Sequence, residues 1–407
     1  MKRRYFLTVI ACCGLCVGSV GLCHNVDGVY YSAVCNELGL GRGTVSFYAT
    51  ISVLTTSIVC PIIVRKINSK NAKFIIGGGS MLTILSVIGI GLSKNIIAVY
   101  IFAMLRGAGC ACFSLVMISV ILRNWFKDKF AEMSGITMGF SGISGMIASP
   151  LIAAVISRFN YHTAYIIAAL CIFIFTIPGI ILVIHYRPED IGLKPYEEGK
   201  GDIDLIERKK EDHEGFVPVD YRSPVFIALN AAAITSATIT SFIAHLPGFA
   251  ENFGLFETAA LLLSGAMFGN VAFKFIYGYF IDHFDAVRVG LFGNAFHIAA
   301  ALGLLLVPKI PALLIFLSVL FGSASAQSAL TMNTAMPSYV YGSANYAKTG
   351  SLVAMTGGIC AAFGFAIFGF LYDITKSYTS GIMLCIAFDL ISLVCLLYIK
   401  RVCRKAD

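Results

Sequence analysis

The stretch Tyr186–Ser223 reads YRPEDIGLKPYEEGKGDIDLIERKKEDHEGFVPVDYRS, the one long polar segment in a chain of 407 residues. It holds Glu197-Glu198 and Lys209-Lys210-Glu211-Asp212 and few large apolar groups. Such a segment cannot bury enough apolar surface to fold alone. On both sides of it the composition reverses. The whole chain is 58% hydrophobic and only 13% charged, with mean hydropathy +0.83, where a soluble domain is roughly half apolar and a quarter charged. Too few polar groups exist to cover a soluble surface, so the implied solvent is the bilayer. A spanning helix needs about 20 mostly apolar residues. Runs of that kind fall at about 5–33, 44–64, 72–93, 95–122, 132–156, 163–185, 224–246, 257–281, 288–308, 311–338, 347–372 and 379–399. The expected fold is therefore all-α, about twelve transmembrane helices in two six-helix bundles. The bundles are 1–185 and 224–407, the second with a short cytoplasmic tail, and 186–223 is the cytoplasmic linker.

Lys2, Arg3 and Arg4 precede the first apolar run, as in a signal peptide. No small-x-small cleavage site follows, and the apolar stretch before the lipoprotein-like Val9-Ile10-Ala11-Cys12 is too short. The run reads as an uncleaved first span. Most of the thirteen cysteines, among them Cys12, Cys13, Cys110, Cys112, Cys171, Cys360, Cys385 and Cys395, stand inside apolar runs. There they read as packing thiols rather than metal or redox groups. The net charge of +8 is unevenly spread. With both termini cytoplasmic, about 23 of the 30 Lys and Arg residues fall on the cytoplasmic side. The outer side keeps Arg42, Lys94, Arg158, Lys309 and Lys376, and two lie within spans, Arg106 and Lys274. The positive charge is a topology signal, which argues against a nucleic-acid partner. It points to a multi-pass protein of the plasma (inner) membrane, with the lipid bilayer around it.

Gly278-Tyr279-Phe280-Ile281-Asp282-His283 follows span 8, with Arg288 a few residues on, and Pro61-Ile62-Ile63-Val64-Arg65-Lys66 stands at the equivalent place after span 2. The first resembles the Gly-x-x-x-Asp-Arg loop of the major facilitator superfamily. In the second, Pro61 and Arg65 replace the glycine and aspartate, so that copy is degenerate. Arg106-Gly107-Ala108-Gly109 in span 4 resembles the family's buried-arginine motif, and Gly139, Gly142, Gly145 and Pro150 its Gly/Pro-rich span 5. A finer resemblance is to the monocarboxylate porters and the oxalate/formate antiporters. It rests on Trp125 to Gly135 entering span 5, Arg187 to Pro195 at the linker start, Asn270-Val271-Ala272-Phe273-Lys274 in span 8 and Gly369 to Thr375 ending span 11. Two departures weigh against dicarboxylate specificity. The late span 1 lysine of the porters is absent, and the span 11 lysine of the oxalate antiporters is replaced by Met355-Thr356-Gly357-Gly358. The resemblance implies a secondary active transporter working by alternating access, without a cofactor. Its solute would be a small monocarboxylate-like anion, moved with a proton or against a counter-anion. Transport of a neutral solute, or a non-transporting solute sensor with the same fold, are the alternatives.

An ionised side chain at bilayer depth costs at least about 2.5–3.5 kcal/mol, so each one demands a partner or a function. Lys274 in span 8 can neutralise a solute carboxylate, or snorkel to the cytoplasmic interface beside Asp282. Asn270, one turn away, can orient the same anion or bond a neighbouring helix. Spans 1 and 4 are neighbours in the resembled fold, which implies that Asp27 and Arg106 form either a structural ion pair or a coupling switch, if solute competes for Arg106. His24 and Asn25 adjoin Asp27. Gly278, Asp282 and Arg288 form the expected cytoplasmic latch. Asp389, mid-span in span 12, reads as a group with a structural partner or a neutral acid, and His245 and His297 as packed neutral rings. Tyr30, Asn230, Asn294, Gln327 and Asn333 are further polar groups whose neighbours helical phase does not give. HExxH, the P-loop Gly-Lys-Ser/Thr and GxSxG are all absent, which leaves no familiar enzyme chemistry and no in-chain ATPase motor.

Overall fold

The computed structural model describes residues 3–127, 129–197, 218–306, 310–342 and 345–406. Among them, twelve helices are long and apolar enough to cross a bilayer. Spans 1–6 are Arg3–Gly21, Arg42–Lys66, Ala72–Leu92, Ile96–Trp125, Glu132–Arg158 and Tyr161–Leu182. Spans 7–12 are Pro224–Asn252, Phe256–Ile281, Ala286–Leu306, Pro311–Tyr341, Thr349–Thr375 and Thr379–Cys403. The chain divides into two compact units, Met1–Gly199 (unit 1) and Lys200–Asp407 (unit 2). Local chemistry sets several helix starts. Asn95 and Asn160 accept from the backbone amides of Ala98 and Thr163, each at 2.8 Å, and Ser223 caps Phe226 at 3.2 Å ahead of Pro224. A capping oxygen satisfies one of the amides that a helix N-terminus leaves without a carbonyl.

The twelve spans are not alike. Span 1 runs as α-helix through Arg3–Cys16 and loosens into a π-turn at Val17–Gly21; after a bend, helix resumes at Asp27–Leu38. Span 4 breaks between Ile96–Ala111 and Leu115–Trp125. Span 7 passes from Pro224–Ser241 through a tight turn, Phe242–His245, into Leu246–Asn252. Span 10 consists of Pro311–Phe321, Ser323–Ala326, a π-helical Gln327–Ala335 and Met336–Tyr341. The other eight are single helices among the described residues. Every third span is thus broken. Irregular backbone at bilayer depth survives only where protein or a water-filled cavity satisfies it. The bend of span 1 does this with protein: Leu22 N donates to Val17 O at 2.8 Å, and the Asn25 amide donates to Ser141 O of span 5 at 2.8 Å. The sequence reading carried span 1 unbroken to residue 33. Hydropathy averaged over a span does not register so short a break, even one that contains His24 and Asn25.

The start of the polar segment has a place in unit 1. Residues 186–197 pack on unit 1, while 198–217 lie outside the described residues. Fully buried Trp125 donates to His185 O at 2.9 Å, and Trp125 O accepts from Tyr196 N at 2.8 Å. Tyr5 reaches Lys194 O at 2.6 Å, and its ring meets those of Trp125 and Tyr196 at 5.9 and 5.5 Å. Ile191, Leu193 and Tyr196 bury against this aromatic cluster. A segment too polar to fold alone is ordered here by a surface supplied from elsewhere.

Candidate functional site

Asp27 opens the second helix of span 1, at an N-terminus whose partial positive charge favours a carboxylate. Arg106 meets it from span 4 in a two-pronged pair, Nη1 to Oδ1 and Nη2 to Oδ2, both 2.9 Å. The residues are 2% and 1% exposed. Arg106 Nε donates to Ser52 Oγ of span 2 at 3.1 Å. Tyr48, also of span 2, donates to Asp27 Oδ1 at 3.0 Å, lies under the guanidinium at 5.2 Å and touches the Tyr165 hydroxyl at 3.3 Å. Tyr165 of span 6 stacks on Tyr30, with ring centroids 3.9 Å apart. Spans 1, 2, 4 and 6 therefore converge on one ion pair inside a tyrosine cage. Charge-assisted, forked pairing is the strong form of this interaction. Removing one partner would leave the other charge buried, at a cost of about 3–5 kcal/mol.

Gly107 explains how the guanidinium gets so deep. A Cβ there would collide with the Ser52 carbonyl and come within 2.9 Å of Thr55 Cβ. Its absence lets spans 2 and 4 touch, with Thr56 Oγ1 bonding Gly107 O at 2.9 Å. Sequence reasoning singled out Asp27, Arg106 and Tyr30 but missed Tyr48, Ser52 and Tyr165, since nothing in their spacing points to span 1. Arg42 differs as well. Counted with the outer-loop cations, it is buried at the start of span 2, where Nη1 donates to Ser32 Oγ at 2.8 Å over the Tyr31 ring.

In unit 2, Asn270 of span 8 is nine-tenths buried, and its Oδ1 has no hydrogen-bond partner among the described residues. Span 10 crosses there at Gly322, where a Cβ would stand 2.9 Å from Asn270 N. Lys274 lies one turn on and is half-buried. Asp389 of span 12 has a partner that sequence left unnamed: it pairs with His297 Nδ1 of span 9, and both are buried. His297 thus sits mid-span beside an acid. Asn294 Nδ2 donates to Asp389 O at 3.3 Å, and Gln327 Nε2 donates to Asn294 Oδ1 and to Gly290 O, the latter at 3.2 Å. His245 lies in the tight turn of span 7 with Nε2 on Phe365 O at 2.9 Å, and Asn230 Oδ1 accepts from Thr356 at 2.8 Å. No cluster of metal-ligating side chains occurs among the described residues.

Residues 13–256 match the sequence pattern of the Major Facilitator Superfamily. The chain belongs to that superfamily. Three solved structures carry the same fold. A bacterial homologue of the human lysosomal transporter Spinster, inward-facing and unoccupied, is 14% identical over 100% of this chain and 99% of its own, with TM-score 0.72. A D-xylose–proton symporter is 11% identical over 97% and 96%, TM-score 0.71. A nucleoside transporter is 15% identical over 97% and 98%, TM-score 0.68. No curated protein matches in sequence.

The facilitator match takes in Asp27 and Arg106 and ends as span 8 begins, before Asn270, Lys274 and the loop after that span. In that loop, Gly278 and Asp282 lie in the helix Phe256–His283, with open space around Gly278. Arg288 is held by Asp285, whose Oδ2 accepts from Nε at 2.9 Å while Oδ1 caps the Arg288 amide at 2.8 Å. Asp285 is a loop carboxylate that the motif comparison passed over.

Proposed function

We propose that this facilitator is a secondary active transporter of a small monocarboxylate-like anion, moved by alternating access as a proton symporter or an anion exchanger. The geometry of Asp27 on Arg106 carries the reading. The guanidinium fork already holds a carboxylate with two 2.9 Å bonds, buried among aromatic rings. A solute monocarboxylate presents the same group to the same fork. Exchanging one carboxylate for another leaves Arg106 paired throughout, so the large penalty of a lone buried cation is avoided, and the displaced Asp27 is neutralised by taking up a proton. Asp27 is then the resting counter-ion, and its release frees the second helix of span 1 from span 4. The broken spans 1, 4, 7 and 10 suit such movement, because discontinuous helices place helix ends at ion and solute sites.

Unit 2 offers its own anion-accepting pair, Lys274 for charge and Asn270 for orientation, and Gly278, Asp282 and Arg288 serve as the cytoplasmic latch. Both termini lie on the cytoplasmic side in this reading. One observation favours a neutral solute instead: the unpartnered Asn270 Oδ1 accepts hydrogen bonds and suits a solute hydroxyl. Counterflow in proteoliposomes separates the two readings. Purified protein should exchange radiolabelled lactate or acetate against the unlabelled acid. Exchange of neutral sugars or nucleosides with no carboxylate exchange would overturn the anion reading. Binding of solute with no flux would make the protein a sensor.

A further inference from the structure

We propose that His297 and Asp389 form a proton-binding site in unit 2, and that the broken span 10 responds to its charge. The inference builds on the proton-coupled reading above and names where the proton resides.

The pair is buried between spans 9 and 12, His297 at 0% and Asp389 at 2% exposure. One ring nitrogen, Nδ1, faces the carboxylate. The other, Nε2, is buried with no hydrogen-bond partner among the described residues. A neutral ring beside an ionised carboxylate has a net charge of minus one; one added proton brings the pair to zero. Away from water a net charge costs more than a paired, neutral site. The proton is therefore the ligand that completes this site, and imidazole is the side chain whose ordinary titration lies between about pH 5 and 8. At Asp27, by contrast, Oδ1 accepts from Arg106 and Tyr48 and Oδ2 from Arg106, so donors already occupy both oxygens.

The groups facing the pair come from four spans. Asn294 of span 9 bonds the Asp389 carbonyl. Phe321, which ends the first helix of span 10, lies against the His297 ring at 4.2 Å. Among the described residues, Tyr277 of span 8 and Cys385 of span 12 are titratable side chains within electrostatic reach of Asp389. Both are ordinarily uncharged near pH 7. Gln327, the first residue of the π-helical segment, bonds Asn294. Span 10 is thus tied to the pair on both sides of its break, directly at Phe321 before it and through Asn294 at Gln327 after it. A change of one unit of charge acts on a span with a π-helical segment nine residues long. π-helical turns are rare, and those that occur are frequently at functional sites.

The test compares the parent with His297→Gln, Asp389→Asn and the double variant, which keeps a neutral hydrogen-bonded pair and so protects the fold. Infrared difference spectra of purified protein between about pH 5 and about pH 8 should show a carboxyl stretch and an imidazole band in the parent. The carboxyl band should vanish in Asp389→Asn, and in the double variant the imidazole signal should fall by the share of one ring among the seven histidines. In proteoliposomes, one pH unit across the membrane is worth about tenfold in accumulation per proton. Lactate uptake by the parent should respond to that gradient and uptake by the double variant should not, while lactate counterflow survives in both. Unchanged bands in the variants would overturn the proposal. Equal loss of counterflow and gradient-driven uptake in folded protein would also overturn it, by showing a purely structural pair. A parent that shows the bands but moves no lactate would sink the anion reading and leave the proton site standing.

Discussion

Asp27→Ala tests whether the Arg106 fork accepts a carboxylate that is not part of the chain. The substitution removes both 2.9 Å bonds and leaves a guanidinium at 1% exposure without its counter-charge. Ser52 Oγ remains on Nε, but a neutral hydroxyl does not balance a cation. Solvent is too far away to screen the charge, so the full cost of breaking a buried pair applies, about 3–5 kcal/mol. For a folding unit of roughly 200 residues each kcal/mol moves Tm by about 2–4 °C, which gives a fall of roughly 6–20 °C. The protein carries its own reporter: its single tryptophan, Trp125, is buried in unit 1, so its fluorescence follows melting of the unit that holds Arg106. The cavity left by the lost side chain is lined by Arg106 and Tyr48. Sodium formate or acetate should fill it and raise Tm, where sodium chloride of equal ionic strength should not. At a hundredfold over Kd the bound anion returns about 2.7 kcal/mol, more than half of the loss. The double variant Asp27→Ala/Arg106→Gln should melt without regard to formate. If formate and chloride act alike on folded Asp27→Ala, the fork does not take up free carboxylates, and the substrate-mimic argument fails.

Lys274→Gln should lose carboxylate binding by about one to two decades, the worth of one charge-assisted hydrogen bond, while Lys274→Arg retains it; parental binding by Lys274→Gln would reduce Lys274 to an interfacial cation. Asp282→Asn should slow transport more than Arg65→Ala at equal surface expression, because only the later loop keeps the aspartate of the facilitator motif; equal effects would remove the latch role. Tags at both ends should be labelled only from the cytoplasmic side, as the Lys/Arg distribution requires. Opposite sidedness would be incompatible with twelve membrane crossings.

Much of the architecture was legible in the sequence because bilayer crossing is a local property. A run of apolar residues must be helical, since lipid offers its backbone no partner, and must be about 20 residues long. Twelve such runs and their interruption at Tyr186–Ser223 are visible without any contact being known. Arg106 and Asp27 stood out for the same reason, as charges where charge is expensive. Their partnership came from the facilitator resemblance, not from spacing. Contacts between spans depend on the rotation and crossing of each helix, and a periodicity of 3.6 residues gives faces without saying what they meet. So the tyrosine cage at Tyr48 and Tyr165, the Asp389–His297 pair and the burial of Arg42 emerged only from the assembled units. The breaks in spans 1, 4, 7 and 10 belong to the same class. Apolar residues such as Leu22 and Phe242 serve a bend and a helix equally well, and only the neighbouring spans decide where helix gives way, as at Gly322, where span 8 presses on the break of span 10.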